Sequence, residues 1–101
     1  MSTSTDIVID DKVKISLEPP KLWKVLLLND NTTPMDFVIE LLKRIFKHTD
    51  QSAKTVTLEV HEQGSGVAGV YAYEIAEHKA IEATNISKEN GFPLQIKLEE
   101  E

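Results

Sequence analysis

Along the chain, apolar positions fall into a few runs whose spacing alternates between two and three or four. From Lys21 to Leu28, Trp23, Val25 and Leu27 alternate with Leu22, Leu26 and Leu28, and only Lys24 interrupts the run. That pattern predicts a short strand buried on both faces. The run ends in Asn29, Asp30 and Asn31. A helical periodicity follows, in which Phe37, Val38, Leu41, Leu42 and Ile45 supply an apolar stripe between Pro34 and about Lys47. Thr33 has the chemistry of an N-cap, Pro34 fits the first helical position, and Asp36 lies three residues after the cap.

Asp50 to Gln63 is ambiguous. Val56, Leu58 and Val60 alternate with Thr57, Glu59 and His61, which is the period of a strand. Yet Thr49 or Asp50 could cap a helix and Gly64 could stop one; on pattern alone the strand is favoured. Val67 to Tyr71 predicts a strand after Gly64-Ser65-Gly66. Glu74 to about Asn90 predicts a helix, with Ile75, Ala76, Ala80, Ala83 and Ile86 available for packing and Gly91 and Pro93 to end it. Leu94, Ile96 and Leu98 alternate with Gln95, Lys97 and Glu99 in a final, half-buried strand. Residues before Lys21 carry Ser, Thr and Asp with scattered Val and Ile, and end in Glu18-Pro19-Pro20, which cannot continue regular structure. Residues 1–20 are therefore expected to form a mobile arm and residues 21–101 the folded core.

Composition narrows the function classes. The 101 residues leave room for one domain with a modest core. Eleven basic against 17 acidic residues give a net charge of -6, which disfavours nucleic acid and anionic membranes and mildly favours cationic partners. No apolar stretch approaches the ~20 residues of a membrane span. The chain has no cysteine and begins without an apolar, basic leader, so a cytoplasmic location is expected.

No chemistry of bond breaking stands out. His48, His61 and His78 are too far apart for a local metal-ligand pattern, so neither a metal nor a cofactor is expected. Gly64-Ser65-Gly66 lacks the lysine and the strand-to-helix setting of a phosphate loop. The most informative stretch is Leu26 to Val38. There an apolar strand stops in Asn29, Asp30 and Asn31, and a helix starts within a few residues. Short polar side chains are thus presented beside an apolar lip formed by Met35 and Val38. Such a bracket suits recognition of a small cationic group attached to an apolar body.

The motif Leu27-Leu28-Asn29-Asp30-Asn31 with Thr33-Pro34-Met35-Asp36-Phe37-Val38 resembles the signature of the ClpS adaptors of the bacterial N-degron pathway. Val60-His61-Glu62-Gln63-Gly64 resembles a second family motif, and Gly69-Val70-Tyr71 with Glu74-Ile75-Ala76-Glu77-His78-Lys79 a third. Phe92-Pro93-Leu94 falls where the family closes its last helix. The resemblance runs from about Lys21 to Glu99. It implies an α/β (α+β) sandwich in which a three-stranded antiparallel sheet packs with three helices in the order β-α-α-β-α-β. Asp50 to Gln63 would then be the second helix, with Thr57, Val60 and His61 on one face.

The resemblance also implies a role. ClpS proteins bind the first residue of a doomed protein and deliver it to the N-domain of a ClpA- or ClpC-type unfoldase. By that implication the substrate's α-amino group meets Asn29 and His61, and Asp30, Asn31 and Thr33 shape the surrounding bracket. The first side chain would enter a pocket walled by Met35, Val38, Thr57, Val60 and Leu94. Glu74 and Lys79 match positions used for docking on the unfoldase, and the N-terminal arm would engage its pore. A monomer that is not an enzyme is expected. Two departures stand out: Asn31 where the family usually has a second acid, and Thr57 where many members have methionine. They keep open an alternative, a regulator or inhibitor of the unfoldase with altered or weakened N-degron recognition. A ribosomal-stalk-like binding module shares the fold, but lacks a reason for the Asn-Asp bracket with His61.

Overall fold

The computed structural model describes residues 6–10, 13–16 and 21–101. Asp6–Asp10 (β1) and Val13–Ser16 (β2) pair antiparallel, with Ile7 opposite Ile15. The remainder of the expected arm lies outside the described residues. The core follows as Leu22–Leu28 (β3), Met35–Ile45 (α1), Asp50–Gln63 (α2), Ser65–Ala72 (β4), Tyr73–Glu89 (α3) and Gln95–Glu100 (β5). β3 lies between β4 and β5, antiparallel to both, which gives the three-stranded sheet and the β-α-α-β-α-β order.

The helices cover one face of this sheet. Val25 and Leu27 are fully buried there, and meet Leu41, Leu42 and Ile45 of α1, Val56 and Val60 of α2 and Ala76 and Ala83 of α3 in one core. The other face stays open: Leu22 is exposed, and Leu26 and Leu28 are only half buried. This corrects the expectation of a strand buried on both sides. A nearly continuous apolar run signals double burial in a sheet with two covers, but among the described residues all three helices lie in one layer.

Asp50–Gln63 is a helix, as the resemblance implied and against the strand period. Its buried residues Ala53, Val56, Thr57 and Val60 recur at helical spacing. Thr49 and Ser52 form a reciprocal capping box, and Gly64 ends the helix at φ 93. The misleading signal was Leu58, which faces solvent and completed a false alternation. In α3, Ile75 is likewise exposed, and the contact with the sheet is made by Ala76, Ala83 and Ser87.

The start of α1 also differs from expectation. Its N-cap is Pro34, and Thr33 stands one residue outside, where its hydroxyl donates to Asp30 instead of accepting from the helix. The helix ends at Ile45, and Lys47 turns the chain at φ 60 before His48 donates its amide to the Leu42 carbonyl. Phe37 of α1 packs on Phe92 with ring centroids 4.8 Å apart, which fixes the loop between α3 and β5 against the start of α1.

A cleft between the strand-to-helix loop and the end of the second helix

The turn after β3 is organised by one carboxylate. Asp30 Oδ1 accepts the amides of Thr32 and Thr33, each at 2.7 Å, and Oδ2 accepts the Thr33 hydroxyl at 2.7 Å. Burial alone would push this carboxyl up, but the Thr33 hydroxyl and the Thr33 and Thr32 amides outweigh it and hold it below the usual carboxylate value. Asp30 is thus committed to the loop, which leaves its neighbours on either side facing outward. Within the described residues, the side chains of Asn29, Asn31 and His61 make no hydrogen bond, so their polar atoms are available to a ligand.

A second tie joins this loop to α2. The Asn29 amide donates to the carbonyl of Gly64 at 2.9 Å, and Gly64, left-handed at the helix C-cap, donates its own amide to Val60. The end of β3 and the last turn of α2 are therefore held side by side. Gly66 allows the helix to sit this close. A Cβ at that position would lie 2.9 Å from a Val60 methyl and 3.1 Å from the Val56 carbonyl.

Between the two walls lies a cleft of about 410 Å³, lined by Asn29, Asp30, Asn31, Thr33, Met35, Val38, Thr57, Val60 and His61, together with Thr32 and Pro34. Nine of the ten residues expected to bind substrate meet there. Val38, Thr57 and Val60 form a buried floor, Met35 is exposed at the lip, and Asn29, Asn31 and His61 are exposed at the mouth. The Thr57 hydroxyl donates to the Ala53 carbonyl at 2.7 Å. Its polarity is satisfied within the helix, so in the wall it acts as a short side chain rather than as a hydrogen-bonding one. Thr32 and Pro34 were not singled out as lining residues from the sequence. Their place in an unbroken polar loop between two identified residues was the available signal.

Leu94 does not line the cleft. It is 5% exposed, belongs to the core, and borders a different cavity of about 500 Å³ with Thr84, Lys88, Phe92, Ile96 and Lys97. β5 begins only after Leu94, so this residue closes the core under the Phe92 loop. The larger cavity offers apolar walls and two lysines, a poor match for a cation. The smaller cleft carries amide oxygens, an imidazole and a carboxylate above an apolar floor, and suits an ammonium with an apolar side chain. Nothing in it is set up as a nucleophile beside a base. Among the described residues no three His, Cys, Asp or Glu side chains are placed to hold a metal ion. No helix is long and apolar enough to cross a membrane among the residues described.

The two residues expected to dock on a partner lie on α3. Glu74 is exposed in its first turn. Lys79 is half buried, donates to the Ile45 carbonyl at 2.8 Å and stands 5.4 Å above the Tyr71 ring. Its ammonium therefore closes the C-terminal end of α1, an internal role that the sequence did not signal.

Comparison with known proteins agrees with this architecture. Residues 18–97 match the family described as ATP-dependent Clp protease adaptor protein ClpS. The chain is 48% identical over 85 residues to the ATP-dependent Clp protease adapter protein ClpS of Bdellovibrio bacteriovorus, covering 84% of this chain and 75% of that protein. It is 46% identical over 82 residues to the Deinococcus radiodurans protein of the same description, covering 81% and 73%. Its fold is similar to that of Agrobacterium tumefaciens ClpS2 bound to L-phenylalaninamide, with a TM-score of 0.79 and 46% identity over 82% of this chain and 100% of that one.

Proposed function

The chain belongs to the ClpS family of ATP-dependent Clp protease adaptors, which are not enzymes, and from that premise we propose that it captures proteins by their first residue and delivers them to a Clp unfoldase. The observation that carries this reading is the cleft itself, where acceptors at the mouth stand directly over an apolar floor. In this reading Asn29, Asn31 and the His61 imidazole receive the three protons of an α-ammonium, and Met35, Val38, Thr57 and Val60 surround the side chain of Leu, Phe, Tyr or Trp. The relative's ligand, L-phenylalaninamide, supports the assignment because it joins a free α-amine to a benzyl group and ends in an amide where the next peptide bond would begin.

Both halves of the ligand are needed. Burying a large apolar side chain contributes about 1.5–3 kcal/mol. Each hydrogen bond to the ammonium adds about 1.5–3 kcal/mol. Three such bonds and the buried side chain together offer about 6–12 kcal/mol against an association cost of at least about 4 kcal/mol, so the micromolar range, near -8 kcal/mol, is reached only when both halves contribute near their upper values. A peptide that begins with Phe should therefore bind, and its N-acetylated form should not. Equal binding of the two would refute amine recognition.

Delivery follows if Glu74 and the region of Lys79 meet the N-domain of a ClpA- or ClpC-type partner while residues 1–20 reach its pore and residues 21–101 hold the substrate. The protein would work in the cytoplasm as a monomer when dilute. Asn31 and Thr57 favour one variant of this reading, in which altered recognition makes the protein chiefly a regulator of the unfoldase. Asn31 brings no charge to the mouth and Thr57 widens the floor. If no first residue gives micromolar binding while the unfoldase is still bound, that variant is the correct one.

A further inference from the structure

Among the described residues the outer edge of β5 is free, and its register is self-complementary. The Glu101 amide donates to the Leu22 carbonyl at 3.0 Å, which sets the hydrogen-bonding phase of the whole ladder. With Glu99 opposite Lys24 and Lys97 opposite Leu26, the odd-numbered residues of β5 turn their N–H and C=O groups toward β3. Ile96, Leu98 and Glu100 turn theirs to the open side, because β5 is the last strand of the sheet.

The geometry points to a second copy of this chain as the occupant of that edge, paired antiparallel about a two-fold axis at Leu98. In that register Leu98 pairs with the partner's Leu98, and Ile96 with the partner's Glu100, each through outward-facing backbone groups. The residues between them then bring Lys97 against the partner's Glu99, twice over. Among the described residues Lys97 has no ion pair, and Glu99 already stands 3.6 Å from Lys24, so the partner's Lys97 would add a second cation beside it. Neighbouring in-phase registers fail on charge: sliding by two residues sets Lys97 against the partner's Lys97 in one direction and Glu99 against the partner's Glu99 in the other. Lone charges on an edge strand ordinarily prevent pairing. Here their order along the strand lets an antiparallel copy of the same strand neutralise them.

Packing above the sheet agrees. The side of β5 under α3 is an open groove of two adjoining cavities, about 500 and 320 Å³, which share Thr84 and Ile96. Ile81 is 54% exposed beside it, and Leu98 and Ile96 are only half covered. The two-fold brings these three residues of each copy together into one apolar cluster, which a single copy leaves wet. No lining residue of the substrate cleft lies on β5 or α3, so the paired form presents two open clefts. The pairing itself does not depend on the proposed function, and the monomer expected from the sequence becomes its dilute form.

The test is the mass of the full-length chain by sedimentation equilibrium between about 1 µM and about 1 mM, a range that spans weak specific association. The mass should rise from 11.4 kDa toward twice that value. Lys97→Glu and Glu99→Lys should each weaken pairing by about tenfold or more, which corresponds to 1.4 kcal/mol, and the double exchange should restore it. Amide exchange at Ile96, Leu98 and Glu100 should slow only at the high end of the range. A constant monomer mass, pairing in either single variant as tight as in the unsubstituted chain, or failure of the double exchange to rescue overturns the proposal. Slow exchange of those amides at every concentration would do the same, since it would assign the edge to another segment of this chain.

Discussion

At the scale of single residues, the proposed site depends on a carboxylate engaged by its own loop. Asp30 accepts the Thr32 and Thr33 amides and the Thr33 hydroxyl, and so holds Asn29 and Asn31 outward. Asp30→Ala leaves those donors unpaired and should cost about 1–2 kcal/mol of stability in chemical denaturation, in the range of a lost cap. Its effect on first-residue affinity should be larger than this implies, because the loop shape goes with it. The pH dependence has a definite sign. The Asp30 carboxyl is held below its ordinary value in the fold, so its contribution is complete above the unfolded value of about 3.9. That contribution is lost as pH falls below this through the folded value. Amide exchange of Thr32 and Thr33 should be protected at neutral pH and become less protected, after correction for intrinsic rates, only in that acidic window.

At the scale of elements, the contact between α2 and β4 sets the cleft floor. Gly66→Ala would press a methyl onto Val60 and Val56, with a cost of about 1–3 kcal/mol. The thermal midpoint should fall and affinity for Phe-initiated peptides should fall with it. Thr57→Met should act differently, because Thr57 is 3% exposed at the cleft floor with its hydroxyl engaged by its own helix. It should change the order of preference among Leu, Phe, Tyr and Trp more than it changes stability. Identical rankings in a peptide series would remove Thr57 from the wall. The legible part of the fold followed the strength of the periodic signal. β3, α1, α3 and β5 are readable because apolar spacing and stop residues agree. α2 was not, since solvent-facing Leu58 and Val56 and Val60 of the core mimic a strand when burial is unknown. Of the nine cleft residues, Asn29, Asp30, Asn31, Met35 and Val38 were legible as a bracket from the strand-to-helix pattern, whereas Thr57, Val60 and His61 joined them only through the motif resemblance. The Asn29 to Gly64 tie and the Lys79 to Ile45 tie were not legible, because both join positions 35 and 34 residues apart through backbone oxygens that have no residue identity.

At the scale of the whole molecule, a one-sided sheet leaves function to its rims. The proposed delivery to an unfoldase would assign a surface to α3, and the structure separates two residues there that the motif treats alike. Glu74→Ala should weaken unfoldase binding in a titration with the N-domain and leave the unfolding transition within about 0.5 kcal/mol, as expected for an exposed site. Lys79→Ala should do both, lowering stability by about 1–2 kcal/mol, because its ammonium also closes α1 over Tyr71. Two cavities compete as the ligand site, and the larger lies beside Lys88 and Lys97 while the smaller carries the acceptors.

Two-dimensional amide NMR during titration with L-phenylalaninamide separates the two sites. Shifts should concentrate at Asn29 to Met35 and at Thr57, Val60, His61 and Gly64, with the N-acetylated compound leaving those signals in place. Shifts gathered instead at Thr84, Lys88 and Ile96, or an equal response to the acetylated compound, would contradict amine recognition in this cleft.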